Sequence, residues 1–302
     1  MKQLTVISGK GGTGKTTVTA ALLNQAKNKI SADADVDAPN LHLILHPEIK
    51  KTTDFYGLDL AVKDDDLCTS CGLCEETCRF GAISGEEINY AIDKYSCEGC
   101  AACEFICPEK AIKMVPRKVG VLYESVTRFS DISHALLDIG QENSGKLVAE
   151  VRKQANDIAK EKKNELIIID GPPGIGCPVL AAIADSNLVL IVTEATKTAI
   201  HDFQRVVDVT NHFNIPVAVC INKYTIAADM TAQIEKYCKD NNIPVAGKIP
   251  YDKKMYEAVL AGQSIVEYDP DGVVATQIRG LWKNVSDLLE LPGMPELMEK
   301  NL

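Results

Sequence analysis

Short apolar runs alternate with amphipathic stretches along most of the chain. The runs are rich in Val, Ile and Leu, and they include LTVIS (4–8), ELIIID (165–170), NLVLIVT (187–193) and IPVAVCIN (215–222). Segments with helical spacing of their apolar residues lie between them, at 144–162, 199–213 and 229–242. Strands without a polar face are typical of parallel sheets that helices cover on both sides. The pattern therefore predicts an α/β fold with a mostly parallel sheet and helices on both faces.

This pattern stops between residues 64 and 117, where cysteine, glycine and acidic residues dominate and long aliphatic runs disappear. Inside that segment LCTSCGLCEETCRFGAI (67–83) and SCEGCAACEFICPEKAI (96–112) align with a constant offset of 29 residues. The chain thus contains an internal repeat of cysteine-rich units. We predict a large discontinuous domain, 1–63 with 118–302, and a small inserted domain at 64–117.

Composition and charge narrow the class of protein. Hydrophobic residues make up 46% and charged residues 25% of the chain, as in ordinary globular proteins. No apolar run approaches the roughly 20 residues of a membrane span, and the chain opens directly in a strand, so we expect a cytoplasmic protein without a membrane anchor. A net charge of −10 argues against a nucleic-acid partner, which needs clustered Lys and Arg. Eleven cysteines in such a chain point to metal rather than to disulfides.

A phosphate-binding loop follows the first strand. GKGGTGKT (9–16) fits G-x-x-x-x-G-K-[ST] and precedes a helical segment, which is the context that this motif requires. A flexible glycine-rich turn is the alternative, and the strand–loop–helix context counts against it. Lys15 would neutralise the β- and γ-phosphates, and the Thr16 hydroxyl would bind Mg²⁺. The loop residues expected to contact ATP or ADP are Gly9, Gly11, Gly12, Thr13, Gly14, Lys15, Thr16 and Thr17.

The loop has one lysine more than the motif needs. KGGTGKTT (10–17) resembles the deviant Walker A loop of the MinD/ParA/Mrp and nitrogenase-iron-protein class of P-loop ATPases, which is defined by this extra lysine. The resemblance implies that Lys10 reaches across a dimer interface to the phosphates bound by the other subunit. Its charge would stabilise the transition state in trans, as an arginine finger does. It also implies a homodimer or a heterodimer with a related ATPase.

Two further stretches resemble the switches of these ATPases. In DADVDAPNL (33–41) the resemblance assigns Asp35 to the attacking water and Mg²⁺, whereas Asp33 and Asp37 could instead end a strand or cap a turn. In LIIIDGPPG (166–174) it implies that Asp170 holds Mg²⁺ through water and that Gly174 senses the γ-phosphate.

The same resemblance extends to the nucleotide base. Asn222 ends a strand, and its amide can both donate to and accept from the adenine edge. IPYD (249–252) matches the loop that closes over the base, which makes Pro250 and Asp252 candidate contacts. Catalysis would thus depend on Lys10, Lys15, Asp35 and Asp170.

The inserted segment repeats the spacing C-x2-C-x2-C-x3-C. This is the run of bacterial two-cluster ferredoxins, in which the fourth cysteine of each set binds the other cluster. That resemblance implies two [4Fe-4S] clusters in a small α+β domain. Cluster 1 would use Cys68, Cys71, Cys74 and Cys107, and cluster 2 would use Cys97, Cys100, Cys103 and Cys78. Zinc is the alternative, but zinc sites rarely repeat as two interleaved quartets.

The ferredoxin pattern is incomplete at one position, where Arg79 replaces the proline found at Pro108. This change removes no ligand. Residues 64–117 contain eleven Asp or Glu and five Lys or Arg, a surface that suits a basic redox partner. Cys177 follows the second switch at the spacing of a cluster ligand in nitrogenase iron protein, so it is a possible metal ligand. It could equally be a small buried residue.

These features favour an ATPase that couples ATP binding and hydrolysis to electron transfer or metal-cluster maturation on a partner protein. The alternative is an Mrp-like carrier or scaffold that assembles Fe–S or heterometal clusters. A spatial regulator of the MinD or ParA type is the last candidate. MinD-like membrane binding needs a basic amphipathic terminal helix, whereas this chain ends in an acidic stretch interrupted by Pro292 and Pro295.

Overall fold

The structure is a computed structural model that describes residues 1–86, 89–138 and 144–291. Pro292 and Pro295, on which the expectation about the chain end depends, lie outside these residues. The described chain separates into two compact units. The first comprises Met1–Thr52, Tyr123–Ala135 and the described residues from Ser144 onward. The second comprises Thr53–Leu122 and the described residues that start at Leu136, and so it includes all of the segment 64–117.

From residue 166 to residue 249, strands and helices alternate as the apolar pattern predicts. The described strands are β1 (Lys2–Ser8), β2 (Lys29–Asp33), β3 (Glu48–Tyr56), β4 (Leu60–Lys63), β5 (Ile83–Glu86), β6 (Asn89–Ile92), β7 (Ile112–Val115), β8 (Lys118–Val126), β9 (Asp131–Leu137), β10 (Leu166–Pro173), β11 (Leu188–Glu194), β12 (Val217–Asn222) and β13 (Val245–Ile249). The described helices are α1 (Lys15–Gln25), α2 (Leu41–Leu45), α3 (Leu73–Thr77), α4 (Ala102–Ile106), α5 (Ser144–Lys162), α6 (Cys177–Ile183), α7 (Lys197–His212), α8 (Ala228–Asp240), α9 (Lys253–Leu260), α10 (Ile265–Tyr268) and α11 (Val273–Leu288).

The largest sheet has the strand order β13-β12-β11-β1-β10-β2-β9-β8-β3. Its pairs from β13 to β9 are all parallel, which confirms the predicted mostly parallel sheet. On one side of β1 the chain runs outward through β11, β12 and β13, and on the other side β10 lies between β1 and β2. The carboxyl ends of β1, β10, β2, β11 and β12 therefore meet at one edge, where ligands bind in open α/β sheets.

Helices cover both faces of this sheet because its central strands are apolar on both sides. In β11, Leu188, Leu190 and Val192 belong to one core cluster, which also contains side chains of α1, α2, α10 and α11. Val189 and Ile191 belong to a second cluster with side chains of α6, α7 and α8. Successive strand residues point to opposite faces, so one strand contributes to two cores.

Four strands of the sheet have no counterpart in the predicted pattern, namely β3, β8, β9 and β13. Strand β3 has the sequence EIKKTTDFY, and all of its residues except Phe55 are exposed. It offers no apolar run and no clean alternation, so the hydrophobic pattern does not distinguish it from a loop. It occupies the end of the sheet order, where lysine side chains also discourage pairing with another chain.

The two sequence repeats of the second unit have the same order of secondary-structure elements. The first repeat folds as β4-α3-β5 and the second as β6-α4-β7, and each element is displaced by 29 residues. Strand β4 pairs antiparallel with β7, and β5 pairs antiparallel with β6, so each small sheet takes one strand from each repeat. Left-handed backbone also recurs at matching positions, namely Ser70 and Gly99 (φ 56° and 64°), Gly72 and Ala101 (78° and 61°), and Gly81 and Lys110 (63° and 52°).

Candidate functional site

The phosphate loop occupies residues 9–14, between the end of β1 and the start of α1. Gly14 has a φ of 91°, and a Cβ there would lie 2.3 Å from the Asn222 amide nitrogen. Both the backbone conformation and the lack of space therefore require glycine at this position. Gly9 is restricted by space alone, since its Cβ would lie 2.6 Å from the Asp202 carbonyl carbon. The loop is thus packed against the ends of neighbouring elements, as a phosphate cradle needs to be.

Asp170 is the centre of the polar contacts beneath this loop. It is fully buried within β10, three residues before that strand ends, and accepts hydrogen bonds from Lys15 Nζ at 3.0 Å, Thr16 Oγ1 at 2.7 Å and Thr19 Oγ1 at 2.9 Å. The structure thus brings together the predicted residues Lys15, Thr16 and Asp170. It adds Thr19, which the motif did not indicate. The signal was present, because Thr19 lies four residues after Lys15 and so on the same face of α1.

The carboxylates of the first switch surround the same lysine. Asp35 Oδ2 lies 3.7 Å from Lys15 Nζ, and Asp33 pairs in register with Asp170 across β2 and β10. Burial alone would lower the pKa of Lys15, but the charges of Asp170, Asp33 and Asp35 outweigh it and raise that pKa. The lysine is therefore charged in the folded chain. Three carboxylates around one ammonium leave the site rich in oxygen ligands.

Asp33 also has a structural role in the first switch. Its two carboxylate oxygens accept hydrogen bonds from the backbone N–H groups of Asp35 and Leu41, each at 3.2 Å. This arrangement fastens the first switch to the end of β2 and fits the alternative role foreseen for Asp33. Burial, followed by the charge of Asp170, raises the pKa of Asp33 to about 8. Burial also raises the pKa values of Asp35 and Asp37.

Because the folded state holds its proton more tightly, Asp33 should make stability depend on pH. Its folded pKa of about 8 exceeds the ordinary value of 3.8, so the folded chain binds more protons between these values than the unfolded chain does. The free energy of unfolding should therefore fall as the pH rises through this window and level off above it. In Asp33→Asn we expect this slope to shrink by up to about 1.4 kcal/mol per pH unit. Urea denaturation of the metal-free protein at several pH values measures it.

The slope, rather than the stability at one pH, is the informative quantity. An asparagine nitrogen cannot accept a backbone hydrogen bond, so Asp33→Asn costs stability at every pH. Asp37→Asn is the matched control, because this more exposed carboxylate lies on the same switch. Identical slopes for wild type and Asp33→Asn would contradict the prediction.

The residues present fit a nucleotide with its metal. The Thr13 hydroxyl is buried in the loop without a hydrogen-bond partner, as expected of a donor reserved for a ligand oxygen. Thr16 and Asp170 supply the hydroxyl and carboxylate oxygens that Mg²⁺ prefers, and Asp35 lies beside them. Gly174 has a φ of 94°, and its N–H donates to the Ser8 carbonyl at 2.8 Å, beside the start of the loop. When bound, Mg²⁺ would supply positive charge that balances the negative charge of the phosphates.

A cleft beside the loop holds the residues predicted to contact the base. It contains about 1290 Å³ of space, part of it open to solvent, and its lining includes Gly12, Gly14, Thr17, Asn222, Pro250, Tyr251 and Asp252. This size is ample for a nucleoside. The cleft therefore brings the loop, the strand end and the IPYD segment together.

Two of these side chains already serve the fold. Asn222 donates from Nδ2 to the Thr13 carbonyl at 2.7 Å and accepts at Oδ1 from the Lys223 N–H at 2.9 Å, so it braces the loop. One amide hydrogen and one lone pair remain for a base. Asp252 caps α9 by accepting from the Lys254 N–H at 2.9 Å.

The additional lysine of the loop contacts its own chain. Lys10 Nζ lies 2.8 Å from Glu194 Oε1, and it donates to Thr198 Oγ1 at 3.2 Å and to Thr196 Oγ1 at 3.4 Å. Sequence reasoning did not single out Glu194. The signal was its place at the end of an apolar strand, like Asp33, Asp170 and Asn222.

The eight cysteines of the second unit line two cavities. One cavity, with about 340 Å³ of partly open space, has Cys78, Cys97, Cys100 and Cys103 in its wall. The other, with about 370 Å³, has Cys68, Cys71, Cys74 and Cys107. Each wall thus combines three cysteines of one repeat with the fourth cysteine of the other repeat. In the described part of the chain, no three His, Cys, Asp or Glu side chains form a group that could hold a single metal ion.

The remaining cysteines lie in the first unit. Cys177 is exposed at the start of α6, whereas Cys220 and Cys238 are buried. Burial raises the pKa of Cys220 to about 12 and that of Cys238 to about 11, so both thiols stay protonated and have structural roles. None of the helices within 1–86, 89–138 and 144–291 is long and apolar enough to span a membrane.

Comparison with known proteins gives the context of this site. An uncharacterised protein of Methanocaldococcus jannaschii is 32% identical over 95% of this chain and 97% of its own length. The iron-sulfur cluster carrier protein of Pyrococcus horikoshii is 26% identical over 96% of this chain and 88% of its own. The crystal structure of the cell division ATPase MinD of Pyrococcus furiosus superimposes with a TM-score of 0.58 at 22% identity, and covers 95% of this chain and 99% of that one.

A family profile indicates a nucleotide-binding domain, as the fold and the phosphate loop do. The profile of the CobQ/CobB/MinD/ParA nucleotide binding domain matches residues 4–265, which include every residue assigned above to nucleotide and metal. Nucleotide binding in this family implies ATP or ADP with Mg²⁺ as the ligands of the site. The chain belongs to the CobQ/CobB/MinD/ParA family of P-loop ATPases.

Proposed function

We propose that this protein is an ATP-hydrolysing iron–sulfur protein. It couples a nucleotide-dependent cycle, in which the dimer forms and the two switches change conformation, to electron transfer or metal-cluster maturation on a partner protein. The observation that carries the proposal is the pair of cavities, each lined by four cysteines, in a chain that also has an ATPase site. ATP binding would set the switch geometry, and the clusters would carry electrons.

The arrangement of the cysteines supports two [4Fe-4S] clusters. In a cubane each thiolate binds a different iron, so four ligands have to surround a cavity rather than meet at one point. The four-cysteine walls have this form, and their composition matches the crossed ligand sets implied by the ferredoxin spacing. The chain supplies an N–H donor as well, since Ala111 N donates to Cys107 Sγ at 3.3 Å. Hydrogen bonds of this kind tune cluster potentials.

The ATPase site supports the other half of the proposal. Lys15 would place its buried charge against the β- and γ-phosphates, where the loop N–H groups also point. Thr16 and Asp170 would hold Mg²⁺, and Asp35 would orient the attacking water. Lys15 Nζ lies 3.0 Å from Asp170 Oδ1, so contacts of Lys15 with phosphate would redistribute this ion pair. That redistribution would move the two switches.

A carrier function is the second candidate. A relative named as an iron-sulfur cluster carrier protein is similar over nearly the whole chain, which favours this reading. In that case Cys177, which is exposed, would bind the cargo, and the second unit would supply electrons. Loss of cluster transfer in Cys177→Ala, with both resident clusters intact, would support the carrier function. A spatial regulator ranks last, because the likeness to MinD concerns the fold and the net charge is −10.

Coupling between ATP and the clusters tests the proposed function directly. If nucleotide alters the reduction of the clusters, reduction has to alter nucleotide affinity by the same factor. We expect the affinity for ATP of the dithionite-reduced protein to differ from that of the oxidised protein by about fivefold or more, the range of ordinary allosteric coupling. Anaerobic titration calorimetry on both forms measures this ratio.

The coupling has an internal control in the cysteine quartets. A variant with Cys68→Ala, Cys71→Ala and Cys74→Ala removes three of the four ligands of cluster 1 and should shrink the redox effect on ATP affinity. Equal affinities of the oxidised and reduced wild type, and equal electron-transfer rates with ATP, ADP or neither, would refute the coupling. The chain would then hold two independent activities.

A further inference from the structure

Glu194 occupies a central place beside the phosphate loop. It ends β11, which lies between β1 and β12 in the sheet, and it pairs in register with Asn222. Its side chain is only 14% exposed, and its two oxygens contact two lysines, Lys10 at 2.8 Å and Lys223 at 3.0 Å. One carboxylate thus forms ion pairs with two cations that contact the loop region, and the trio keeps a net positive charge.

The ionisation of Glu194 follows from these contacts. Burial would raise the pKa of its carboxyl group, but the hydrogen bonds and charges of Lys10 and Lys223 outweigh burial and lower that pKa. The carboxylate is therefore charged at neutral pH. Lys10 also donates to the hydroxyls of Thr196 and Thr198, which are neutral. Within the described residues, Glu194 is the carboxylate that forms an ion pair with Lys10.

Lys223 links the same carboxylate to the loop backbone. Its Nζ donates to the Gly12 carbonyl at 3.1 Å, so the chain of contacts runs from Lys10 through Glu194 and Lys223 to Gly12. Both ends of this chain belong to the phosphate loop. Glu194 can therefore respond to any movement of the loop that phosphate binding causes.

We infer that Glu194 is a positioning residue that holds Lys10 on its own subunit until ATP-bound subunits associate. The inference rests on the proposed action of Lys10 in trans. The three N–H donors of Lys10 are directed at Glu194, Thr196 and Thr198 of its own chain, so Lys10 has to release these contacts to reach the other subunit. A triphosphate carries more charge than a carboxylate and can win this competition. The ion pair with Glu194 thus opposes the dimer when ATP is scarce.

Glu194→Gln tests this inference, because it removes the charge and keeps the shape. We expect the concentration of a non-hydrolysable ATP analogue that gives half-maximal dimer to fall by about fivefold, as for the loss of one shielded ion pair worth roughly a kilocalorie. Sedimentation velocity with Mg²⁺ and the analogue measures this. The decisive comparison is the same substitution in a Lys10→Ala background, where it should have no further effect.

A second measurement does not depend on the dimer. In the nucleotide-free protein, Lys10 should react several-fold faster with an amine-acylating reagent in Glu194→Gln than in wild type, as judged by mass spectrometry of the labelled peptide. Lys223→Met is the matched control, since it removes the other cation from Glu194. A merely structural role for Glu194 would lower the melting temperature without changing the selectivity of labelling at Lys10.

The outcomes separate the inference from the function on which it rests. Lys10→Ala alone should slow ATP hydrolysis by about a hundredfold or more while it spares nucleotide affinity. If Lys10→Ala hydrolyses ATP at the wild-type rate, the action in trans is wrong, and the inference falls with it. If Lys10→Ala behaves as expected but Glu194→Gln changes neither the dimer nor Lys10 labelling, only the inference about Glu194 is overturned. If Glu194→Gln changes dimer formation equally in the wild-type and Lys10→Ala backgrounds, the inference about Glu194 is likewise overturned.

Discussion

Lys15→Met should reduce the affinity for ATP by a hundredfold or more. Lys15 is the buried cation of the phosphate loop, 7% exposed, and although burial lowers its pKa, the acidic groups around it outweigh burial and raise that pKa. Two charge-assisted hydrogen bonds to phosphate, at about 1.5–3 kcal/mol each, correspond to this loss. The substitution also leaves Asp170 and Asp35 without the counter-charge of Lys15, which worsens the repulsion of a triphosphate. Isothermal titration calorimetry with Mg-ATP measures the change.

Two controls make this result interpretable. Lys29→Met removes another half-buried lysine, on the strand next to β10, and should leave ATP affinity unchanged. Circular dichroism and melting temperature of Lys15→Met show whether the fold survives the loss of the charge. Wild-type affinity in a folded Lys15→Met protein would contradict the assignment of the loop.

The iron content of double cysteine variants should depend on which cysteines are paired. Two cubanes imply about eight iron and eight sulfide per chain in anaerobically purified protein. Cys78 shares a cavity wall with Cys97, whereas Cys68, of its own repeat, lies in the other wall. We therefore expect Cys78→Ala with Cys97→Ala to keep about four iron, because both substitutions affect one cluster. Cys78→Ala with Cys68→Ala should lose nearly all of it.

Iron and acid-labile sulfide assays, with electron paramagnetic resonance of the reduced protein, measure these contents. Cys238→Ala is the matched control, since this buried thiol lies outside the second unit and should leave the iron at the wild-type level. The reverse order of the two double variants would show that each repeat binds its own cluster. Stoichiometric zinc without sulfide would refute the clusters themselves.

The sequence predicted the parts of the site that depend on local pattern. The strand–loop–helix context located Lys15 and Thr16, and the resemblance of LIIIDGPPG to the second switch singled out Asp170, which contacts both. Residues joined across long stretches of chain were not accessible in this way. Glu194 lies 184 residues after Lys10, and nothing in the local pattern of either residue indicates the pair.

The strands of the fold likewise divide into those that the local sequence predicts and those that it does not. Buried strands such as β10, β11 and β12 have continuous apolar runs, so their positions follow from sequence. Strand β3 is exposed almost throughout, and its pairing in the sheet rather than its side chains makes it a strand. Asn222 was assigned to the base from its position at a strand end, but its contact with Thr13 depends on the fold of the loop.

The exchange of strands between the two repeats has a consequence for biosynthesis. When the ribosome has released the chain only as far as Glu86, β4 still lacks its partner β7, and β5 still lacks β6. Neither four-cysteine wall is complete at that stage, because one needs Cys107 and the other needs Cys97, Cys100 and Cys103. The nascent first repeat therefore exposes four thiols that have no finished site. Iron loading by the proposed clusters has to wait until the second repeat has been translated, and both sites become available together.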